Sequence, residues 1–146
     1  MLNLRDGNPF STGRSTFLDR VDSSAEPTAK IWVRIEPDRL GMEILAQLDT
    51  GAAWSILEPD VARELSLLNG QGEPITLKTR YGLIGGHLER VQIDIIAEEG
   101  DALSVEATVF ISQQWPGGSF LGFNGLLDHI RFAIDPSDNS FHFGLM

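Results

Sequence analysis

The stretch Ile44-Leu45-Ala46-Gln47-Leu48-Asp49-Thr50-Gly51-Ala52-Ala53-Trp54-Ser55-Ile56-Leu57 sets one acidic residue between two apolar runs. Ahead of Asp49, Met42, Ile44, Ala46 and Leu48 alternate with Glu43 and Gln47, the period-2 pattern of a half-buried strand. Thr50-Gly51 breaks that strand and Trp54 to Leu57 begins another. A carboxylate is thus expected at a tight turn between two buried strands. Burial disfavours its charged form, so the placement lowers stability. A chain tolerates such a placement more readily where the carboxylate does chemistry.

Working toward the N-terminus, Ile31, Val33 and Ile35 alternate with Lys30, Arg34 and Glu36, which predicts a strand over 29–36. Pro37-Asp38-Arg39 turns it into the Met42–Leu48 strand, so the two form a hairpin. Residues 1–27, rich in Asp, Ser, Gly and Pro with scattered Phe10, Phe17, Leu18 and Val21, read as an irregular leader, and 28–146 as the domain proper.

Working toward the C-terminus, Glu58-Pro59 opens a helix, with Pro59 at the permitted first position. Val61, Leu65 and Leu68 share a face, and Asn69-Gly70 is the expected stop. Strands follow at Ile75–Lys78, Val91–Ile95 and Val105–Ile111, the first two joined through Gly82-Leu83-Ile84-Gly85-Gly86. After Phe120-Leu121-Gly122-Phe123-Asn124-Gly125-Leu126-Leu127 comes a short helical turn, then strands at Arg131–Asp135 and Phe141–Phe143 around the turn cluster 136–140. The architecture expected is all-β, with many short strands and one or two short helices.

The chain has 146 residues, 42 % of them apolar, which suits one globular domain with one core. A net charge of -10 with only 11 Lys and Arg leaves no basic cluster for a phosphate backbone, so no nucleic-acid partner is expected. No membrane-length apolar run or signal-like segment appears, and no membrane partner is expected; the default is a cytoplasmic protein. The absence of cysteine removes disulfides and thiol catalysis. His87, His129 and His142 lack metal-ligand spacing, and no nucleophile elbow or phosphate loop is present. Glu98 to Asp101 reads as an exposed acidic turn.

Three separated parts, the Asp49-Thr50-Gly51-Ala52 loop, the glycine-rich 82–86 segment and the Leu121–Leu127 segment, resemble in order the parts of the retroviral-type (retropepsin-like) aspartic proteases and their single-domain bacterial relatives. The resemblance spans about residues 29–145. It implies a single-lobe acid-protease barrel, with Asp49 catalytic and Thr50, Gly51 and Ala52 supporting its loop. Gly82, Leu83, Ile84, Gly85 and Gly86 correspond to the tip of a flap, and Leu121-Gly122 to the second glycine loop. Ile56, Leu83, Ile84 and Leu121 are the expected pocket walls. The leader 1–27 is read first as a surface arm; the alternative is that, as in proteases that cut themselves free, processing occurs there, and Phe17-Leu18 suits an apolar-preferring site.

Peptide hydrolysis by carboxylates needs two of them around one water, one taking a proton and the other donating one. Two negative charges about 3 Å apart at an effective dielectric near 20 repel by roughly 5 kcal/mol. That is about 4 pK units, so the pair holds one proton over a wide pH range and titrates as a unit. The chain has a single Asp-Thr-Gly and no Asp-Ser-Gly, so the second carboxylate must come from Asp49 of another copy in a two-fold homodimer. The expected function is aspartic endopeptidase, acting on extended polypeptides with no metal or other cofactor. In the family the Thr hydroxyl interlocks across the dimer axis, which is the role implied for Thr50. Ala52 stands where two-lobed members often have Ser, so one donor to the carboxylate is missing and a mildly acidic optimum is expected.

Two positions depart from the retroviral pattern. Where those members pair an Asp two residues after the motif's Gly with an Arg after the second loop's Gly, this chain has Ala53 and Phe123. Both partners of that ion pair are missing together, so no charge is stranded. The interleaving of chain ends in those dimers would draw its strand from Phe141–Phe143. The alternative reading is a catalytically inactive domain of the same fold that serves peptide binding or dimerisation. A further one is a monomeric β-barrel with an incidental Asp-Thr-Gly.

Overall fold

The computed structural model describes residues 1–19, 27–36 and 41–146. Val21 of the leader and the Pro37-Asp38-Arg39 turn lie outside the described residues. The fold is predominantly β and forms two sheets. In chain order the strands are β1 (Gly13–Thr16), β2 (Lys30–Ile35), β3 (Met42–Leu48) and β4 (Ser55–Leu57), then helix α1 (Pro59–Glu64). There follow β5 (Glu73–Thr79), β6 (Gly82–Ile95), β7 (Glu99–Gly100), β8 (Leu103–Ile111) and β9 (Phe120–Leu121). A single 3-10 turn at Leu127–His129 leads into β10 (Ile130–Asp135) and β11 (Ser140–Leu145).

The larger sheet runs β2-β3-β9-β4-β8-β6-β5, and β2 pairs with β6 as well, so six of its strands return on themselves. The alternation read in β2 and β3 is realised: Ile31, Val33, Ile35, Ile44 and Ala46 are buried. On β6 and β8 the same holds for Val91, Ile93, Ile95, Val105, Ala107, Val109 and Ile111. These side chains share one core with Phe141 and Phe143 of the smaller sheet, whose order is β10-β11-β1-β7. A second apolar cluster, centred on Ile56, Ile84, Phe110 and Trp115, lies toward the β5–β6 hairpin.

Three sequence expectations are corrected. Residues 1–27 are not an irregular leader throughout, because β1 lies between β11 and β7 in the smaller sheet and Phe17 is part of the core. Gly-Arg-Ser-Thr carries no apolar alternation, and its pairing with β11 makes it a strand. It follows that β11 has its own chain on both edges, β10 on one and β1 on the other, and offers no free edge for interleaving with a second copy.

Helix α1 stops at Glu64 and does not continue to Asn69-Gly70. Ser66 takes the left-handed conformation (φ 58°), and the Leu67 and Ser66 amides donate to the Ala62 and Arg63 carbonyls at 2.8 and 3.0 Å. This is a Schellman cap with Ser in the place usually taken by Gly.

The tip of the β5–β6 hairpin is Arg80-Tyr81, between the paired residues Thr79 and Gly82, rather than 82–86. Gly82 alone of that segment takes positive φ, at 100°, as the residue closing the turn. Gly85 and Gly86 are interior strand residues opposite Thr76 and Ile75. A side chain at 86 would collide with the Ile111 carbonyl and the Phe110 ring, so that glycine serves close packing against β8.

Candidate functional site

Asp49 ends β3 at a sharp turn, half-buried, with Thr50 and Gly51 exposed beyond it. The Gly51 amide donates to Asp49 Oδ1 at 2.9 Å, the one hydrogen bond to this carboxylate among the described residues. A Cβ at position 51 would stand 3.2 Å from the same oxygen, so the glycine leaves room for the carboxylate.

The loop is tied to the segment after β9 along its length. The Asp49 amide donates to the Leu121 carbonyl at 3.0 Å, and the Phe123 and Asn124 amides donate to the Ala52 and Ala53 carbonyls at 2.9 Å. Gly122 N–H reaches the buried Ser55 Oγ at 2.9 Å. Asp128 Oδ1 accepts from the Gly125 amide at 3.0 Å, steadying the far end of this second loop. Two segments joined by bonds such as Gly122 to Ser55, 67 positions apart in sequence, thus form one unit around Asp49.

The Asp49 turn opens on a cleft of about 820 Å³. One wall is the hairpin, contributing Leu77, Lys78, Thr79 and Arg80. The floor runs across the sheet through the paired positions Lys30, Gln47, Phe120 and Ile56. Trp54 and Trp115 close the apolar end. At the tip, Tyr81 meets Trp115 edge-on with ring centroids 5.6 Å apart, and Trp115 meets Phe120 in the same way at 6.0 Å. The Trp115 indole N–H donates to the Gly118 carbonyl at 2.8 Å, which fixes the ring between hairpin and floor.

Asp49 and its loop residues Gly51 and Ala52 line the cleft, and of the expected pocket walls Ile56 does so. Leu121 does not; it is 1 % exposed and belongs to the main core. Its neighbour Phe120 faces the cleft, because successive strand residues point to opposite sides. Leu83 is 75 % exposed on the hairpin, and Ile84 is buried in the second cluster beneath the cleft. Sequence reasoning missed Trp54, Trp115, Lys30, Lys78 and Arg80, which reach the cleft from separate elements. The histidines lie elsewhere: His87 Nε2 is 3.0 Å from the Leu67 carbonyl, and His129 is exposed beside Asp128. Among the described residues no helix is long and apolar enough to cross a membrane. Compared with protein-family models and with curated proteins, the chain matches none.

Proposed function

We propose that the protein is an aspartic endopeptidase of the retropepsin-like class, working as a homodimer in which two copies of Asp49 share one proton and one water. The observation that carries this reading is the seat of Asp49: a half-buried carboxylate on a rigid double loop, facing a cleft with a hairpin wall. The β2–β6 pairing supports a single-lobe acid-protease barrel, since the six strands return on themselves. The β5–β6 hairpin suits a flap, its tip resting on Trp115 through Tyr81. Opening it would release an aromatic contact worth about 1 kcal/mol and leave the strand pairing intact.

In this mechanism an extended peptide lies between hairpin and floor and gains strand-like hydrogen bonds. One carboxylate takes a proton from the water as the oxygen attacks the scissile carbonyl. The other, protonated, donates to the carbonyl oxygen, and the tetrahedral intermediate collapses with proton transfer to the leaving amine. Thr50 and Gly51, exposed in the single chain, have the freedom to meet their counterparts across a two-fold axis.

The test is cleavage of a denatured protein across pH 3 to 8 by the wild type and by Asp49→Asn. Cleavage by the wild type and a loss of at least about a thousandfold in the variant is expected. Cleavage that survives the substitution overturns the mechanism, and no cleavage by either protein favours the inactive peptide-binding domain.

A further inference from the structure

The charge around the cleft runs against the charge of the chain. The protein carries 21 Asp and Glu against 11 Lys and Arg, yet among the described residues the cleft is lined by Lys30, Lys78 and Arg80 with Asp49 as the one acidic residue. Among the described residues none of these three cations forms an ion pair, and neither do Arg5 and Arg131 outside the cleft, whereas Arg14, Arg34, Arg63 and Arg90 each do. Lys30 uses two of its donors on the Thr28 hydroxyl and carbonyl, which holds the ammonium at the cleft edge with a donor to spare. Arg80 packs over the Tyr81 ring, 5.1 Å from its centroid, at the hairpin tip.

The cations and the apolar surface are ordered. Lys30, Gln47, Phe120 and Ile56 are successive partners on four neighbouring strands, so one end of the floor is cationic and the other apolar. Three strand spacings amount to roughly 14 Å. An extended peptide covers that distance in about four residues. Asp49, two residues beyond Gln47 on the same strand line, stands beside the middle of the row.

We infer that this cleft selects polypeptides in which an Asp or Glu lies within about four residues of a large apolar side chain, the acid meeting Lys30 in a cleft that Lys78 and Arg80 also line, and the apolar group meeting Trp54, Ile56 and Phe120. A two-fold dimer would repeat the row, so acidic residues are favoured on both sides of the scissile bond. The cleavage part of this inference rests on the proposed protease reading; the recognition part does not.

The probe is a pair of labelled peptides with the same central apolar residues, flanked about four positions out by Glu in one and Gln in the other. Binding is read by fluorescence anisotropy on Asp49→Asn and cleavage on the wild type. At about 0.02 M salt the Glu peptide is expected to bind and to be cleaved on the order of tenfold better, and the ratio to shrink toward one at about 0.5 M. It should also fall between about pH 6 and pH 4 as the peptide's Glu, of ordinary pKa about 4.3, takes up protons.

Lys30→Gln and Lys78→Gln should each lower the Glu-to-Gln ratio, while Arg90→Gln, which removes an equal charge outside the cleft, should not. Glu preference in binding without cleavage supports the recognition and overturns the protease reading. Cleavage with no Glu preference, or with an equal loss of it in Arg90→Gln, overturns the inference and leaves the protease reading standing; binding with no Glu preference and no cleavage overturns both. Neither binding nor cleavage overturns both.

Discussion

Ser55 and Gly122 hold the two loops of the candidate site together through one fully buried hydrogen bond, the glycine amide donating to the serine Oγ at 2.9 Å. The approach is so close that a Cβ at 122 would collide with the Trp54 carbonyl and stand 2.7 Å from the Ser55 nitrogen. Backbone on both sides leaves nothing flexible to give way. Gly122→Ala is therefore expected to destabilise by about 1–3 kcal/mol, a fall in Tm of roughly 3–10 °C in a chain of this size. Ser55→Ala strands a buried N–H and should lower stability by about 1–3 kcal/mol. Calorimetry showing either variant as stable as the wild type contradicts this account of the joint.

The Asp49 carboxylate accepts from the Gly51 amide alone among the described residues, and Ala52 has no hydroxyl to add. Under the proposed mechanism Ala52→Ser supplies a second donor, favours the ionised form and lowers the pKa of the dyad. The acid limb of the pH–rate profile should then move down, with the wild type optimal in mildly acidic solution. A wild-type rate maximum near pH 2, or an upward shift in the variant, counts against it.

Phe123 is 48 % exposed directly after Gly122, and Ala53 is exposed across the loop from it. With β11 closed on both edges by its own chain, the proposed dimer has to form around these loops and not through the chain ends. Phe123→Glu places two like charges near the two-fold axis and should raise the dimer Kd at least about tenfold, or about 1.4 kcal/mol. Sedimentation velocity over a concentration series measures this. A wild-type protein that stays monomeric at the highest concentration removes the shared dyad.

Phe17 is buried, and Leu18 exchanges two backbone hydrogen bonds with Lys30, both 2.8 Å long. A protease needs an extended, unpaired segment, so the Phe17-Leu18 bond is protected in the folded protein. Intact-mass spectrometry of the incubated wild type is expected to show no product starting at Leu18. Removing residues 1–17 should leave β11 with a bare edge and lower Tm sharply; a truncated protein as stable as the full chain contradicts the role given to β1.

The parts of the fold legible in the sequence were those with local periodicity. Ile31, Val33 and Ile35, and Ile44 and Ala46, declare their strands because alternate residues face one core. Asp49 could be read because Thr50-Gly51 interrupts two such runs. What escaped was set by tertiary neighbours. Gly13 is in a strand because Phe143 lies opposite it, Gly86 is small because Phe110 and Ile111 crowd it, and Ser66 caps a helix that has no glycine where the cap falls. The cationic end of the cleft was equally hidden, since Lys30 and Lys78 look like solvent-facing members of ordinary strands until the strands are placed side by side.

The pairing of β1 with β11 also has a consequence in time. During synthesis β1 leaves the ribosome long before its partner, with Arg14 and Ser140 126 positions apart. No nascent chain that still lacks β11 can assemble the smaller sheet, and contacts of such high order fold slowly. The smaller sheet therefore closes only after β11 has been made. Until β11 docks, Phe141 and Phe143 have no finished surface to bury against, which makes the chain with an unclosed smaller sheet the species most in need of a chaperone.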